Sequence, residues 1–187
     1  MNKVPILCLL VLMTLGRPTQ VMADAWAALR EPGSVVIMRH ALAPGEGGQE
    51  TFVLDDCSTQ RNLNQKGRDQ ARAIGAAFRR HEIAVDRILT SQWCRCEETS
   101  RLLDLAPVET FPPLNYVSRD SSSAEVKIEK LRSFLAGLPD DKRIVMVTHQ
   151  VTISMLTGAY PYSGEAFVIQ VADDGKVTVR GSIMIEP

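Results

Sequence analysis

Metal-binding patterns are the first thing this chain lacks. It has only three histidines and four cysteines in 187 residues, and neither CxxC nor HExxH occurs in it. No histidine lies near the cysteines in sequence, so a zinc site has no ligand set to draw on. Positive charge is also scarce: 21 Lys and Arg stand against 22 Asp and Glu, a net charge of −1. Such a chain has no cationic field to attract a nucleic acid or an anionic membrane. Any anion it binds must be gripped by local arginines. Internal repeats and low-complexity segments are absent too, which excludes repeat architectures.

A single extended apolar run is present, at the N-terminus. Lys3 precedes residues 4–16, uncharged and apolar apart from Thr14, and Val21-Met22-Ala23 supplies small or modest residues for a signal peptidase. The expectation is a secretory signal peptide over residues 1–23, cleaved after Ala23. A retained anchor fits less well, because the apolar core is short for a ~30 Å hydrocarbon layer. Residues 24–187 would then form one domain, periplasmic or secreted, with no stable membrane insertion after cleavage. Its balance is 19 basic against 22 acidic residues. Three cysteines remain, Cys57, Cys94 and Cys96, in an oxidising compartment. A Cys94–Cys96 bridge would strain a very small ring against disulfide geometry. Cys57 is therefore expected to pair with one of the two, leaving an odd thiol.

Strand and helix signals alternate along the rest of the chain, the pattern of an α/β sheet with parallel strands. Residues 35–38 and 144–148 read as buried strands, and residues 87–90 as a short one. Leu63, Ala71, Ile74 and Phe78 recur at helical spacing, and a second helical run ends at Leu102-Leu103. Ser122 and Glu125 suggest a capping box for a helix whose apolar stripe is Ile128, Leu131, Leu135 and Leu138. Residues 151–157 suggest a short helix stopped by Gly158. Residues 167–171 and 177–179 form an expected hairpin around an Asp-Gly turn. Residues 107–115 are expected to be extended or irregular. Residues 41–60, with Pro44, Gly45, Gly47 and Gly48, make a loop long enough to suggest a functional role.

The chemistry gathers where strands end. "VVIMRHALAPG" stops an apolar strand on Arg39 and His40, and "RIVMVTHQ" stops another on His149. Ligands of open parallel sheets bind at the carboxyl ends of strands. If the two strands are neighbours, both imidazoles share one rim. Arg95, one helical turn after the third strand ends at Ser91, can lean over the same edge, and the long loop can deliver Arg61. Guanidinium forks pair with phosphate oxygens. Histidine adds a lone pair able to attack phosphorus, kept neutral by the neighbouring cations. The bland alternatives are core histidines satisfied by backbone carbonyls and a surface Arg95. His81 reads as a solvated residue stabilising a helix C-terminus, Cys96 as small apolar filler, and Trp93 as either a rim aromatic or packing.

"MRHA", "TSQWCRCEET" and "VTHQ", in that order, resemble the motifs of the histidine phosphatase, or phosphoglycerate mutase-like, superfamily. Its strand-ending Arg-His is usually followed by Gly, here replaced by Ala41. Its Ser-x-x-x-Arg-Ala-x-x-Thr stretch is matched at Ser91, Arg95, Cys96 and Thr99. "RNLNQKGRDQA" matches a further segment at Leu63, Gly67, Gln70 and Ala71. The resemblance implies a three-layer α/β/α sandwich with a mostly parallel central sheet, needing no metal or organic cofactor. It implies that His40 attacks phosphorus while Arg39, Arg95 and His149 hold the phosphoryl oxygens, with Arg61 assisting. Cys96 sits at the family's buried alanine, which favours Cys94 as the partner of Cys57. The short length is similar to members acting on phosphohistidine proteins or small phosphate esters. The exported, cysteine-bearing form is similar to periplasmic members, including those acting on lipopolysaccharide core sugar phosphates. No carboxylate occupies the positions where the family places its proton donor: Asn115, Tyr116 and Gln150 stand there. Glu165 and Asp120 are the remaining candidates for a general acid. An alternative is a phosphate- or anion-binding or sensory protein of the same fold, without turnover; a mutase fits less well, with little chain to form a lid.

Overall fold

The computed structural model describes residues 24–45, 52–172 and 174–186. The expected signal peptide, residues 1–23, and residues 46–51 of the long loop lie outside them. Among the described residues there are six strands: β1 (Ser34–Arg39), β2 (Arg87–Thr90), β3 (Val108–Thr110), β4 (Ile144–Thr148), β5 (Ala166–Val171) and β6 (Val177–Ile183). Five α-helices accompany them, α1 (Ala25–Ala28), α2 (Gln65–Arg80), α3 (Cys94–Leu103), α4 (Ala124–Ala136) and α5 (Gln150–Thr157), with short 3-10 turns at Cys57–Thr59 and Pro112–Leu114. The strands form one sheet in the order β3-β2-β4-β1-β5-β6. The β3–β2, β2–β4 and β4–β1 pairings are parallel, and β5 and β6 add antiparallel strands at one side.

Alternation along the central strands builds the three layers. Val36 and Met38 of β1, with Val145 and Val147 of β4, turn to one face and pack with Ile74 and Phe78 of α2 and Leu103 of α3. Val35 and Ile37, with Ile144 and Met146, turn to the other and pack with Ile128, Leu131 and Leu135 of α4 and Ile153 and Leu156 of α5. Because helices cover both faces, every residue of β4 is buried. This is why these strands appear in sequence as unbroken apolar runs.

Helix boundaries follow local chemistry. Asn64 caps α2, its Oδ1 accepting the Gly67 N–H at 2.8 Å, and Gly158 ends α5 in the left-handed conformation with φ of +76°. The expected capping box at Ser122 and Glu125 is not formed. The residue before α4 is Ser123, in a right-handed helical conformation with no side-chain cap bond. The chain enters α4 instead through a turn in which Ala124 N–H donates to the Ser121 carbonyl at 2.9 Å. Leu138 falls just beyond the helix but still packs on the core. Within residues 107–115, β3 is an edge strand with every residue exposed, so it has no apolar alternation for sequence reading to detect. The short α1, capped by Asp24, carries no periodic signal either.

Gly75 shows how tightly α2 and α3 approach. A Cβ there would collide with the backbone carbonyl of Leu103 at the end of α3. Intrinsic helix propensity favours Ala over Gly by about 1 kcal/mol, whereas overpacking against immovable backbone costs about 1–3 kcal/mol. Gly75→Ala is therefore expected to be net destabilising, read as a lowered midpoint in urea denaturation.

Candidate active site

The register of β1 against β4 decides where the site forms. Arg39 pairs with Thr148, and His40 N–H donates to the Thr148 carbonyl at 3.0 Å. The next residue on each strand is therefore a histidine at the same rim, with ring centroids 5.7 Å apart. From the end of β2, Ser91 N–H donates to the Val147 carbonyl at 3.0 Å, which brings the start of α3 to the same edge. A pocket of about 250 Å³ opens there, lined by Arg39, His40, Arg61, Trp93, Arg95, Tyr116, His149, Gln150 and Val151.

Hydrogen bonds fix the protonation of both imidazoles. His40 Nδ1 lies 2.8 Å from the Ala41 carbonyl oxygen. A carbonyl only accepts, so Nδ1 carries the proton and Nε2 keeps its lone pair. His149 Nδ1 lies 3.1 Å from Arg95 Nη2, a group that only donates, so here Nδ1 is the acceptor. The His149 Nε2–H is left to donate to Ser91 Oγ at 2.9 Å, and that hydroxyl donates on to Asn115 Oδ1 at 3.3 Å. Burial, reinforced by the Arg95 charge, lowers the His40 pKa from its ordinary 6.5 to about 3. The same causes hold His149 well below its ordinary value.

Three cations converge without a counter-charge. Among the described residues the pocket lining contains no carboxylate. Burial lowers the Arg95 pKa to about 10, with Arg61 and Arg39 adding to the effect, and burial and Arg61 lower that of Arg39. Each still carries its proton at neutral pH. The Nε atoms of Arg39, Arg61 and Arg95 are all buried without a hydrogen-bond partner. Buried donors left unpaired are costly. Three in one pocket describe a cradle that an oxyanion would complete.

The surrounding side chains hold these groups in place. Thr99 Oγ1 accepts the Ala41 N–H at 3.1 Å, and Gln70 receives the Leu42 N–H at 3.0 Å while donating to the Ser163 and Ile185 carbonyls at 2.9 and 3.0 Å. Ala41 is fully buried and is not among the positive-φ residues, so the backbone after His40 does not demand a glycine. Cys57 and Cys94 form a disulfide across a separation of 37 residues. Among the described residues Cys96 is the buried free thiol, its Sγ 3.6 Å from His149 Nε2.

A family model, the histidine phosphatase superfamily (branch 1), matches residues 35–118, the stretch that holds Arg39, His40, Arg61 and Arg95. The matched stretch, with its strand-ending Arg39-His40 and Arg95, is similar to the histidine phosphatase superfamily. His149 lies beyond the matched stretch, and the fold returns it to the same pocket. No curated protein matches the chain by sequence. Among solved structures, the protein histidine phosphatase SixA complexed with tungstate is similar at 18% identity and a TM-score of 0.56, covering 80% of this chain and 96% of that one. A phosphoserine phosphatase from Entamoeba histolytica, in complex with 3-phosphoglyceric acid, gives a TM-score of 0.61 at 14% identity, covering 81% and 97%. A mycobacterial glucosyl-3-phosphoglycerate phosphatase complexed with VO3 gives 0.56 at 14% identity, covering 82% and 99%. These likenesses show the fold.

Neither candidate for a general acid, Glu165 or Asp120, is in the pocket lining. The Glu165 carboxylate is occupied by structural bonds, accepting the Tyr162 N–H at 2.8 Å and the Ser182 hydroxyl at 2.5 Å. Asp120 is exposed on the turn before α4. Tyr116, Gln150 and Val151 line the pocket although sequence reading assigned them no role there. Tyr116 and Gln150 drew attention only as residues standing where an acid was expected. His81 is not simply solvated: its ring stacks on Trp26 with centroids 4.0 Å apart. Among the described residues, no helix is long and apolar enough to cross a membrane, and no group of three or more His, Cys, Asp or Glu is arranged to hold a metal ion.

The pKa of His40 gives a pH prediction with a definite sign. The unfolded chain protonates near pH 6.5, whereas folded His40 resists protonation down to about pH 3. Between those values the unfolded state binds more protons, so this contribution to stability is full above pH 6.5 and falls as pH drops toward 3. NMR titration of labelled imidazoles is expected to show no His40 transition between pH 8 and 5.

Proposed function

We propose that the protein is a phosphatase that transfers the phosphoryl group of a phosphomonoester, or of phosphohistidine, to His40 and then to water. The observation that carries this reading is the single pocket holding a neutral histidine with a free Nε2 among three arginines with unpartnered donors. The match of residues 35–118 to the histidine phosphatase superfamily supports a phosphatase- or mutase-type enzyme. In the proposed reaction, His40 Nε2 forms a bond to phosphorus as the bond to the leaving oxygen or nitrogen breaks. Arg39, Arg61 and Arg95 take the phosphoryl oxygens and stabilise the charge that develops. An incoming dianion would raise the proton affinity of His149, allowing Nδ1 to exchange its bond with Arg95 for one to an oxygen. Water then attacks phosphorus, the N–P bond breaks, and orthophosphate leaves with His40 restored. No metal or organic cofactor enters this scheme.

The natural substrate is proposed to be a small phosphorylated molecule, with a lipopolysaccharide core sugar phosphate as one candidate class. The location is proposed to be periplasmic or secreted after removal of residues 1–23, a reading that the Cys57–Cys94 disulfide supports. A lining without a carboxylate among the described residues suits a good leaving group, such as the phosphohistidine nitrogen. The same feature also favours a second reading, a binding or sensory protein that holds phosphate without turnover.

Steady hydrolysis of p-nitrophenyl phosphate separates the two. The phosphatase reading expects multiple turnovers, an acid-labile and base-stable adduct trapped on His40, and no activity in His40→Ala. Binding of phosphate without turnover would establish the second reading instead. Arg95→Lys keeps the charge but loses the fork, and is expected to lower kcat/KM by at least ~10²-fold, as loss of a transition-state contact does.

A further inference from the structure

Trp93 makes contacts that no step of the proposed reaction uses. Its ring stacks on Phe52 with centroids 4.1 Å apart and planes 18° from parallel. It also carries the Arg95 guanidinium carbon 4.6 Å from its centroid. Two groups this close to one flat ring cannot share a face, so the indole is sandwiched between them. It also meets the His149 ring in a T-shaped arrangement, with centroids 5.3 Å apart and planes at 72°. Trp93 lines the pocket, yet it has no free face on which to stack a substrate ring.

Arg95 is a side chain in need of such a partner. It is only 5% exposed, donates from Nη2 to His149, and leaves Nε unpaired. A carboxylate could hold it, but would consume the N–H donors and cancel the charge. An aromatic face does neither, because guanidinium donors lie in the plane of the group and the π contact uses its flat side. The cation is fixed while its edge stays available for an oxyanion.

Trp93 is itself braced by the loop that brings Arg61 to the pocket. Cys57 of that loop is bonded to Cys94, next to Trp93. Gln60 Oε1 accepts the Cys94 N–H at 3.0 Å, while Gln60 Nε2 donates to the Leu54 carbonyl at 2.6 Å and the Val53 carbonyl at 3.2 Å. These ties hold Phe52 against the outer face of the indole.

We infer that Trp93, backed by Phe52 on the disulfide-tethered loop, is a positioning residue that presents the edge of the Arg95 guanidinium to phosphoryl oxygens. The inference rests on the anion-binding reading of the pocket, and the test separates the two. Orthovanadate binding by calorimetry and p-nitrophenyl phosphate kinetics would be measured for Trp93→Leu, Trp93→Phe and Phe52→Leu. Thermal melts confirm that each variant is folded. Trp93→Leu is expected to weaken vanadate binding about 10-fold and to lower kcat/KM at least as much, as loss of a desolvated cation–π contact would. Trp93→Phe, which keeps a flat face, is expected to recover most of the loss. Phe52→Leu, which removes only the backing ring, is expected to show a smaller loss in the same direction and stands in if Trp93→Leu does not fold. In an Arg95→Met background none of the three should weaken vanadate binding further. The inference is overturned if Trp93→Leu binds vanadate like wild type, if Phe and Leu at position 93 lose equally, or if the loss persists without Arg95. Failure of the wild-type protein to bind vanadate would overturn the anion-site reading itself, and this inference with it.

Discussion

The parallel pairing of β1 with β4 is the constraint on which the rest depends. Its register ends both strands together and places His40 and His149 one residue beyond the last rung. Everything else at the site is a response to having two imidazoles and three guanidinium groups crowded at one rim. The rings are kept neutral by burial and neighbouring charge, and each is held in one tautomer by a group of fixed polarity. Nothing in the described lining neutralises the arginines, so an arriving dianion meets donors already in place and little need for reorganisation.

The two layers of helices serve that rim in different ways. The α2–α3 side supplies chemistry: Gln70 and Thr99 hold the backbone just after His40, and α3 carries Arg95. The α4–α5 side mainly seals the opposite face of β1 and β4 with Leu and Ile, while the first turn of α5 adds Gln150 and Val151 to the pocket lining. A pair of strands buried on both faces cannot readily shift register, since one step would exchange the residues packed against α2 and α3 with those packed against α4 and α5. The geometry of the candidate active-site rim is thus held by the whole core.

Much of this was legible in the sequence because the relevant signals are local. Polar, ionisable side chains closing apolar strands stand out against the burial rule, and they mark Arg39, His40 and His149 as candidates. Arg95 needed the spacing of Ser91 and Thr99 around it. What stayed hidden depends on distant contacts. Glu165 is a plausible acid as a letter in the chain, and only the fold shows its carboxylate engaged by Tyr162 and Ser182. Trp93 was ambiguous because its meaning lies in Phe52, forty-one positions earlier. The strand at residues 108–110 escaped detection because it buries nothing, and hydrophobic periodicity can report only what is buried.

The free thiol of Cys96 has a consequence for the chain's covalent integrity. Cys96 is two residues from Cys94 and close enough in sequence to compete for Cys57, the usual recipe for disulfide scrambling. Exchange requires a thiolate with access to a sulfur. The Cys96 thiol is wholly buried, and burial pushes its pKa up to about 12, so at neutral pH the attacking species is essentially absent. Packing, not chemistry, chooses the pairing: once α3 has docked on the sheet, only Cys94 faces the loop as an available partner. The order of events during folding then matters. In a chain oxidised before α3 docks, Cys94 and Cys96 compete for Cys57, whereas once α3 has docked Cys96 is withdrawn from that competition.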